Sequence, residues 1–288
     1  MVQLRVRDLS PFLGAEIEGF DPKAGIDEAD WVILTTAFYD RGFLVFRDID
    51  LDVVAQHRIV DTLYAGGRET AVQESDAARF SYVSNTEPDG GAPYGRLLFH
   101  SDMMWSEFAW QIPSLYAVEV EQPSVPTVFT STTYAWETLP AELRARAEGL
   151  RARHESGPQG RGDSVYEDDL LQPQWTQLRS IVTPVAMRHP HTDRTMLYVC
   201  EQQTREIVEL PENESNELLE ALFAHLYNPD RLWEHHWRAG DLVVWDNQAV
   251  QHGRPYVVAD GPARTLRKIH APSDLRARVG TPTYEKAN

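Results

Sequence analysis

Short apolar segments of strand length recur along this chain, and their distribution limits the folds that it can adopt. Helical spacing of apolar residues is confined to Asp27 to Asp40, Leu51 to Tyr64, Ala141 to Gly149 and about Glu212 to Leu226. Because strands and helices do not alternate, an antiparallel sheet sandwich with helices packed outside is favoured over a parallel α/β fold. The predicted strands are Val2 to Arg7, Gly42 to Phe46, Phe80 to Val83, Leu115 to Val120, Thr127 to Thr130, Thr183 to Met187, Thr195 to Val199, Trp233 to Trp237, Asp241 to Asp246 and Thr265 to Ala271.

The length of 288 residues is compatible with one domain covering residues 1–288, since sandwiches and barrels of this size are commonly single domains. Two polar segments, 66–96 and 155–172, interrupt the strand pattern. Long loops of this kind often close over functional sites, so both are predicted lids.

Charge and cysteine content exclude several classes of partner and site. The formal net charge of −17 disfavours nucleic acid as a partner, although a local basic cluster could still bind a small anion. The single cysteine, Cys200, rules out an intrachain disulfide and a thiolate metal cluster. Without a signal-like segment at the N-terminus or a run of about 18 apolar residues, we expect a cytoplasmic protein that does not enter membranes.

The sharpest local motif is His100-Ser101-Asp102. Residues two apart on a strand point to the same face, so one strand could present an imidazole and a carboxylate to a single ion. A second, distant histidine would complete the two-His-one-carboxylate face of non-haem iron enzymes. Alone, the motif is weak, because a surface histidine beside an unrelated aspartate is common.

His252 is the most suggestive of the other histidines. It follows the apolar segment 240–247 and a short turn, and Arg264 comes twelve residues later at the start of a predicted strand. Five blocks, in order and at compatible spacing, resemble the taurine dioxygenase and 2,4-dichlorophenoxyacetate dioxygenase family. They are Leu13 to Gly19, Arg41 to Asp48, Leu98 to Asp102, Gly240 to Asn247 with His252, and Arg264 to Lys268.

The resemblance covers nearly the whole chain and implies a mostly β fold with flanking helices around a double-stranded β-helix (jelly-roll, cupin-like) core. It implies His100, Asp102 and His252 as ligands of Fe(II), and 2-oxoglutarate and O2 as co-substrates. Arg264 would pair with the distal carboxylate of 2-oxoglutarate, for which a planar guanidinium is well suited. Thr127 would hydrogen-bond the same carboxylate.

The implied activity is oxidation, most simply hydroxylation, of a small and anionic organic substrate, with release of succinate and CO2. Desaturation and C–O or C–S cleavage by the same chemistry stay open, as does hydrolysis with another divalent metal at the same ligands. A metal hydrolase would have no need of Arg264 and Thr127. A non-catalytic cupin-like binding protein is a further alternative, and the resemblance also suggests a homodimer or homotetramer.

On the substrate side, Lys268 lies where the taurine-specific branch has a sulfonate-binding arginine. A lysine there keeps the charge but loses the planar fork, which puts sulfonate specificity in doubt. Arg96, four residues before His100, is a second cationic candidate. Tyr82, Asn85 and Trp105 are candidates for the pocket lining.

Overall fold

A computed structural model describes residues 4–24, 26–68, 78–109, 111–157, 171–174, 178–271 and 283–286, and of 171–174 and 283–286 only the backbone. The strands of these ranges are β1 (Arg5–Asp8), β2 (Ala15–Glu18), β3 (Phe43–Phe46), β4 (Ser81–Ser84), β5 (Gly95–His100), β6 (Ile112–Val120), β7 (Thr127–Ser131), β8 (Arg151–Glu155), β9 (Leu171–Gln174), β10 (Ser180–Pro184), β11 (Ala186–Arg188), β12 (Thr195–Leu197), β13 (Thr204–Ile207), β14 (Trp233–His235), β15 (Leu242–Trp245), β16 (Val250–Val257), β17 (Arg264–Ala271) and β18 (Thr283–Lys286). The helices are α1 (Glu28–Arg41), α2 (Val53–Tyr64), α3 (Thr132–Glu137), α4 (Ala141–Ala147), α5 (Glu212–Leu226) and a 3-10 turn at Pro229–Arg231.

Two sheets packed face to face form the centre of the molecule. The larger has seven strands in the order β1-β2-β3-β15-β6-β17-β4, and the smaller has four in the order β14-β7-β16-β5. Pairing is antiparallel in both, apart from β2 with β3. Phe43, Val243 and Leu266 of the larger sheet share one buried cluster with Phe129 and Val250 of the smaller. The predicted β-rich sandwich with flanking helices is confirmed.

Helices α1 and α2 cover the outer face of the larger sheet. Leu34 of α1 and Ile59 of α2 lie in one buried cluster with Leu44, Val244 and Ile269 of the sheet. Each helix begins at an aspartate whose carboxylate accepts a backbone N–H, Asp27 from Asp30 at 2.8 Å and Asp52 from Ala55 at 2.7 Å.

The alternation of strand β17 separates this outer layer from the interior between the sheets. Arg267 and Ile269 point outward, toward α2 and the outer cluster. Arg264, Leu266 and Lys268 therefore point inward, because side chains two apart share a face. One strand thus places two cations on the wall of the interior.

The sequence did not predict strands β8 and β13 or helix α3. The two strands are rich in charged residues, such as the Arg153–Glu206 pair across them at 2.8 Å, so they lack the expected apolar pattern. The predicted strand Thr183 to Met187 is divided between β10 and β11 at Val185, whose amide bonds to Leu150.

The predicted lid 66–96 contains β4, which overlaps the predicted strand Phe80 to Val83, and the start of β5. Residues 69–77 of it lie outside the described residues, as do residues 158–170 of the second predicted lid, 155–172. Among the helices of the described ranges, none is long and apolar enough to cross a membrane.

Candidate active site

Two histidines meet where strands β5 and β16 pair. His100 is the last residue of β5 and lies directly opposite His252 of β16, with ring centroids 4.2 Å apart. Asp102 joins them, its Oδ1 3.6 Å from His100 Nε2. One potential ligand atom from each of the three residues lies within 4.8 Å of the others, a spacing at which they could hold a metal ion. The distant histidine expected to complete the motif is therefore adjacent to it in space.

The local geometry of the motif differs from the expected strand. Strand β5 ends at His100, and Asp102 lies in the turn that follows, where Met103 has a φ of 59°. Alternation along a strand therefore does not direct the carboxylate to the histidines. The turn does so instead, held by contacts from elsewhere in the chain.

Both histidines can offer a lone pair to a cation. The Nδ1 of His100 lies 2.8 Å from the carbonyl oxygen of Leu98, which can only accept, so Nδ1 donates in this contact and Nε2, which faces Asp102, is the nitrogen that could bind an ion. Burial, and then the neighbouring His100, hold the pKa of His252 well below its usual range, so its ring is neutral at neutral pH.

Asp102 is surrounded by groups that compensate its charge. Lys268 donates to its Oδ2 at 2.6 Å. Burial alone would raise the pKa of the Asp102 carboxyl, but the Lys268 ammonium and the two histidines outweigh burial and hold that pKa well below its usual range. The residue is therefore an anion, as a metal ligand must be.

A second buried charge lies on the same wall. Arg264 is 5% exposed, its guanidinium carbon is 5.9 Å from the centre of the Trp237 ring, and its Nη2 lies 3.3 Å from Thr127 Oγ1. Among the described residues, its Nε has no hydrogen-bond partner. Burial, and then Arg254, lower the pKa of Arg264 to about 9, which leaves it cationic at neutral pH. A buried cation with an unused donor is a site for an anion.

Thr127 is placed to bind the same anion. Its Oγ1 accepts hydrogen bonds from Trp237 Nε1 at 3.0 Å and from Arg264. Because both contacts use the oxygen as acceptor, the hydroxyl hydrogen remains available to donate to a carboxylate. Arg264 and Thr127, 137 positions apart in sequence, are thus brought together as the resemblance implied.

Lys268 and Arg96, the two cations predicted to bind the substrate, differ in how closely a carboxylate of the protein approaches them. The Lys268 ammonium is bound to Asp102, so it has an intramolecular partner where a substrate anion was expected. Arg96 is also in β5, 39% of its side chain is exposed, and its Nη2 is 3.8 Å from Glu201 Oε1. The pairing of β5 with β16 shifts register between Leu97 and His100, so strand alternation does not place Arg96 on the same face as His100.

The three remaining predicted residues occupy different environments. Tyr82 pairs with Arg267, whose side chain points to the outer face, so the structure does not bring Tyr82 to the metal-facing side. Asn85 accepts from the backbone N–H of Arg264 at 2.9 Å and donates to Pro262, and thereby fixes the start of β17. Trp105 is buried in the turn that follows Asp102.

Sequence reasoning missed the residues that support these groups. Asn247 and Gln111 both bond to the backbone of Asp102, and Trp237 supports Thr127. The only available signal was the position of Asn247 in the segment Trp245-Asp246-Asn247, whose pattern does not reveal what its amide contacts.

Comparison with known proteins identifies a family over most of the chain. The family model described as "Taurine catabolism dioxygenase TauD, TfdA family" matches residues 5–270. Pentalenolactone F synthase of Streptomyces arenae is 32% identical over 59% of this chain and 60% of that enzyme, and its namesake from Streptomyces avermitilis is 30% identical over 89% and 90%. Alpha-ketoglutarate-dependent 2,4-dichlorophenoxyacetate dioxygenase of Cupriavidus pinatubonensis is 26% identical over 90% of this chain and 94% of that enzyme.

A similar fold is present in the crystal structure of a taurine dioxygenase from Burkholderia xenovorans. The TM-score is 0.71, with 24% identity over 92% of this chain and 89% of that one. The residues described above fit the metal and co-substrate of such enzymes, because three potential ligands and a buried anion site line one interior. The chain belongs to the TauD/TfdA family of Fe(II)- and 2-oxoglutarate-dependent dioxygenases.

Proposed function

We propose that this dioxygenase hydroxylates a small organic substrate bearing one anionic group, with conversion of 2-oxoglutarate to succinate and CO2. His100, Asp102 and His252 would hold Fe(II), and Arg264 with Thr127 would hold the distal carboxylate of 2-oxoglutarate. The observation that carries this assignment is the buried Arg264, whose Nε has no partner among the described residues, in the same interior as the His-Asp-His group.

Each residue has a role that follows from its contacts. The neutral His252 and the Nε2 of His100 would bind the ion through free lone pairs, and Asp102 would supply the negative charge. Bound iron supplies oxidation of the substrate by O2, coupled to decarboxylation of the co-substrate. The protein's own contribution is to orient both partners and to exclude water from the interior.

Recognition of the substrate anion is proposed for Arg96. It lies in β5, four residues before His100, and 39% of its side chain is exposed, so an anion could reach it from solvent. Lys268 is the weaker candidate because it is bound to Asp102. The relatives whose names refer to 2,4-dichlorophenoxyacetate and taurine support an anionic substrate, since a carboxylate and a sulfonate are implied.

The reaction outcome is proposed as hydroxylation because it is the simplest result of this chemistry. Desaturation, or C–O or C–S cleavage, would use the same residues and differ in how the substrate lies above the metal. Hydrolysis is disfavoured because it offers no use for the buried Arg264 and its neighbour Thr127. A homodimer or homotetramer remains a prediction.

The test is succinate release in the presence of Fe(II), ascorbate, O2 and 2-oxoglutarate. Small carboxylates, sulfonates and alkyl sulfates would be supplied one at a time, and each carboxylate would be paired with its methyl ester as a neutral control. We expect at least one acid to stimulate succinate release while its ester does so far less. The proposal fails if 2-oxoglutarate does not bind. Equal stimulation by acid and ester would refute only the anionic substrate.

A further inference from the structure

The position of Asp102 needs an explanation that strand geometry does not supply. The residue follows the end of β5, and the next residue, Met103, is in the left-handed region at a φ of 59°, which is uncommon for a side chain other than glycine. A turn of this kind does not fix a carboxylate by its own backbone preferences. Something outside the turn must hold Asp102 beside His100 and His252.

The side chain of Asn247 makes the required contacts. Its Oδ1 accepts from the backbone N–H of Asp102 at 2.7 Å, and its Nδ2 donates to the carbonyl oxygens of Asp102 at 2.8 Å and of Ala109 at 2.9 Å. The residue is fully buried. One amide thereby binds both backbone polar groups of Asp102 and both donors of the amide are used.

Asn247 is itself held rigidly. The preceding residue, Asp246, accepts from His189 Nε2 at 2.7 Å and from the backbone N–H of Gln248 at 3.0 Å, and its own N–H bonds to Gly42 at 2.9 Å. All of these groups are buried or packed against the end of β15. The amide of Asn247 is therefore presented to the turn from a fixed point.

The same segment leads directly into β16, which carries His252 five residues later. Asn247 therefore links the turn that bears one candidate ligand to the strand that bears another. Without this link, Asp102 would be held from outside the turn by Gln111 at its carbonyl oxygen and by Lys268 at its carboxylate, and neither contact connects it to the strand that bears His252.

We propose that Asn247 is a positioning residue that presets Asp102 for the metal and thereby raises the affinity of the site for a divalent ion. The inference rests on the proposed role of Asp102 as a ligand. Residues that orient metal ligands typically contribute 10- to 100-fold in metal affinity. Asn247 would act on the ligand's backbone, before any metal is bound.

The experiment is titration of the full-length apoprotein with cobalt(II), followed by its visible absorption, which reports coordination geometry. We expect Asn247→Ala to weaken cobalt(II) binding by about 10- to 100-fold and to alter the shape of the spectrum. Asn247→Asp keeps the shape of the side chain and the oxygen that accepts from the backbone N–H of Asp102. It replaces the Nδ2 donor by an oxygen, which then faces the carbonyl oxygens of Asp102 and Ala109, so we expect at least the same loss of cobalt(II) affinity. This isosteric variant serves if the alanine variant does not fold.

Gln56→Ala is the matched control. Gln56 is also fully buried, donates to Ser114 and Arg267 and accepts from Arg267, but lies on the outer face of the larger sheet. We expect it to lower the melting temperature while cobalt(II) affinity stays within about twofold of wild type.

The inference is overturned if the Asn247 variants bind cobalt(II) within twofold of wild type, or if Gln56→Ala weakens binding as much as they do. A wild-type protein that binds no cobalt(II), or whose binding survives Asp102→Ala unchanged, would contradict the proposed metal site itself.

Discussion

The metal half of the site (His100, Asp102 and His252) and the co-substrate half (Arg264 and Thr127) hold buried charge differently. In the metal half, the Lys268 ammonium is 2.6 Å from the Asp102 carboxylate. In the co-substrate half, Arg264 is packed against Trp237 and Thr127, and Arg254 adds to its positive surroundings. The Asp102 carboxylate of the metal half is thus balanced without an ion, whereas among the described residues no carboxylate pairs with Arg264 in the co-substrate half.

This difference predicts how each half responds to ligands. An anion at Arg264 removes the cost of an uncompensated buried cation, so 2-oxoglutarate should stabilise the fold markedly. A metal ion at Asp102 must instead share the carboxylate with Lys268. Its net stabilising effect is reduced by repulsion from that ammonium.

The largest expected effect comes from removing the anionic ligand. Asp102→Ala should abolish Fe(II)- and 2-oxoglutarate-dependent succinate release, because the ion loses its only charged protein ligand among the described residues. Thermal melting should show that the fold survives. Full retained activity would remove Asp102 from the metal site.

Next in size is the loss of the anion anchor. Arg264→Met should weaken 2-oxoglutarate binding by at least about 30-fold, since a charge-assisted contact is worth about 2 kcal/mol or more. Without the co-substrate, the variant should melt at the same temperature as wild type or higher, because an uncompensated buried charge is gone. Isothermal titration and melting curves measure both quantities. A clear drop in the melting temperature would show that Arg264 is already balanced in the free protein.

A smaller effect is expected for the charge partner. Lys268→Met should lower the melting temperature of the apoprotein by about 3–6 °C, since it leaves the Asp102 carboxylate without its counter-ion. Saturating manganese(II) should then raise the melting temperature more in the variant than in wild type, because the ion replaces the missing charge. An equal metal-induced shift in both proteins would contradict the balanced state of the metal half.

The smallest expected effect concerns His154, a buried titratable group with neutral hydrogen-bond partners, which serves as a reference for the charged groups of the two halves. His154 is fully buried between the hydroxyls of Thr204 and Thr183, and burial, and then Arg205, lower its pKa to about 3. The folded state favours the neutral ring, whereas the unfolded chain binds a proton at its ordinary pKa. Burial of His154 therefore does not lower the free energy of unfolding above pH 6.5, and lowers it progressively as the pH falls from 6.5 toward 3.

Between pH 7 and pH 6, titration of His154 should lower the free energy of unfolding of wild type by about 0.7 kcal/mol. This decrease should be absent in His154→Gln. Denaturant unfolding at the two pH values measures the difference between the proteins. The same slope in both would mean that His154 does not titrate on unfolding as described.

The sequence indicated which residues form the candidate site, but not the contacts that hold them in place. His100 and Asp102 were paired by strand alternation, but the strand ends at His100 and the pair is held across 145 positions by Asn247. Lys268 was predicted as a substrate-binding cation, and it lies on the same face of β17 as Arg264, yet its partner is Asp102, 166 positions away. Periodicity gives the face of a strand, whereas the partner of a side chain depends on the packing of distant segments.

The same limit applies to the fold. The strands β3 and β15 follow directly from their short apolar runs, and the helices α1 and α5 follow from the helical period of their apolar side chains. The polar strands β8 and β13 could not be recognised, since few of their residues are apolar and their place in the fold depends on pairing with each other and on the burial of Ala152 and Ile207 in a distant cluster.

Arg254, two residues after His252, donates to the carbonyl oxygens of Ala92, Tyr94 and Gly95. These bonds tie the start of β5 to strand β16, which bears the candidate ligand His252. Any hinge that opens the preceding segment over the interior must therefore pivot before Ala92. The pairing of His100 with His252 would then stay fixed while that segment moves, so entry of a substrate would leave the geometry of the candidate ligands intact.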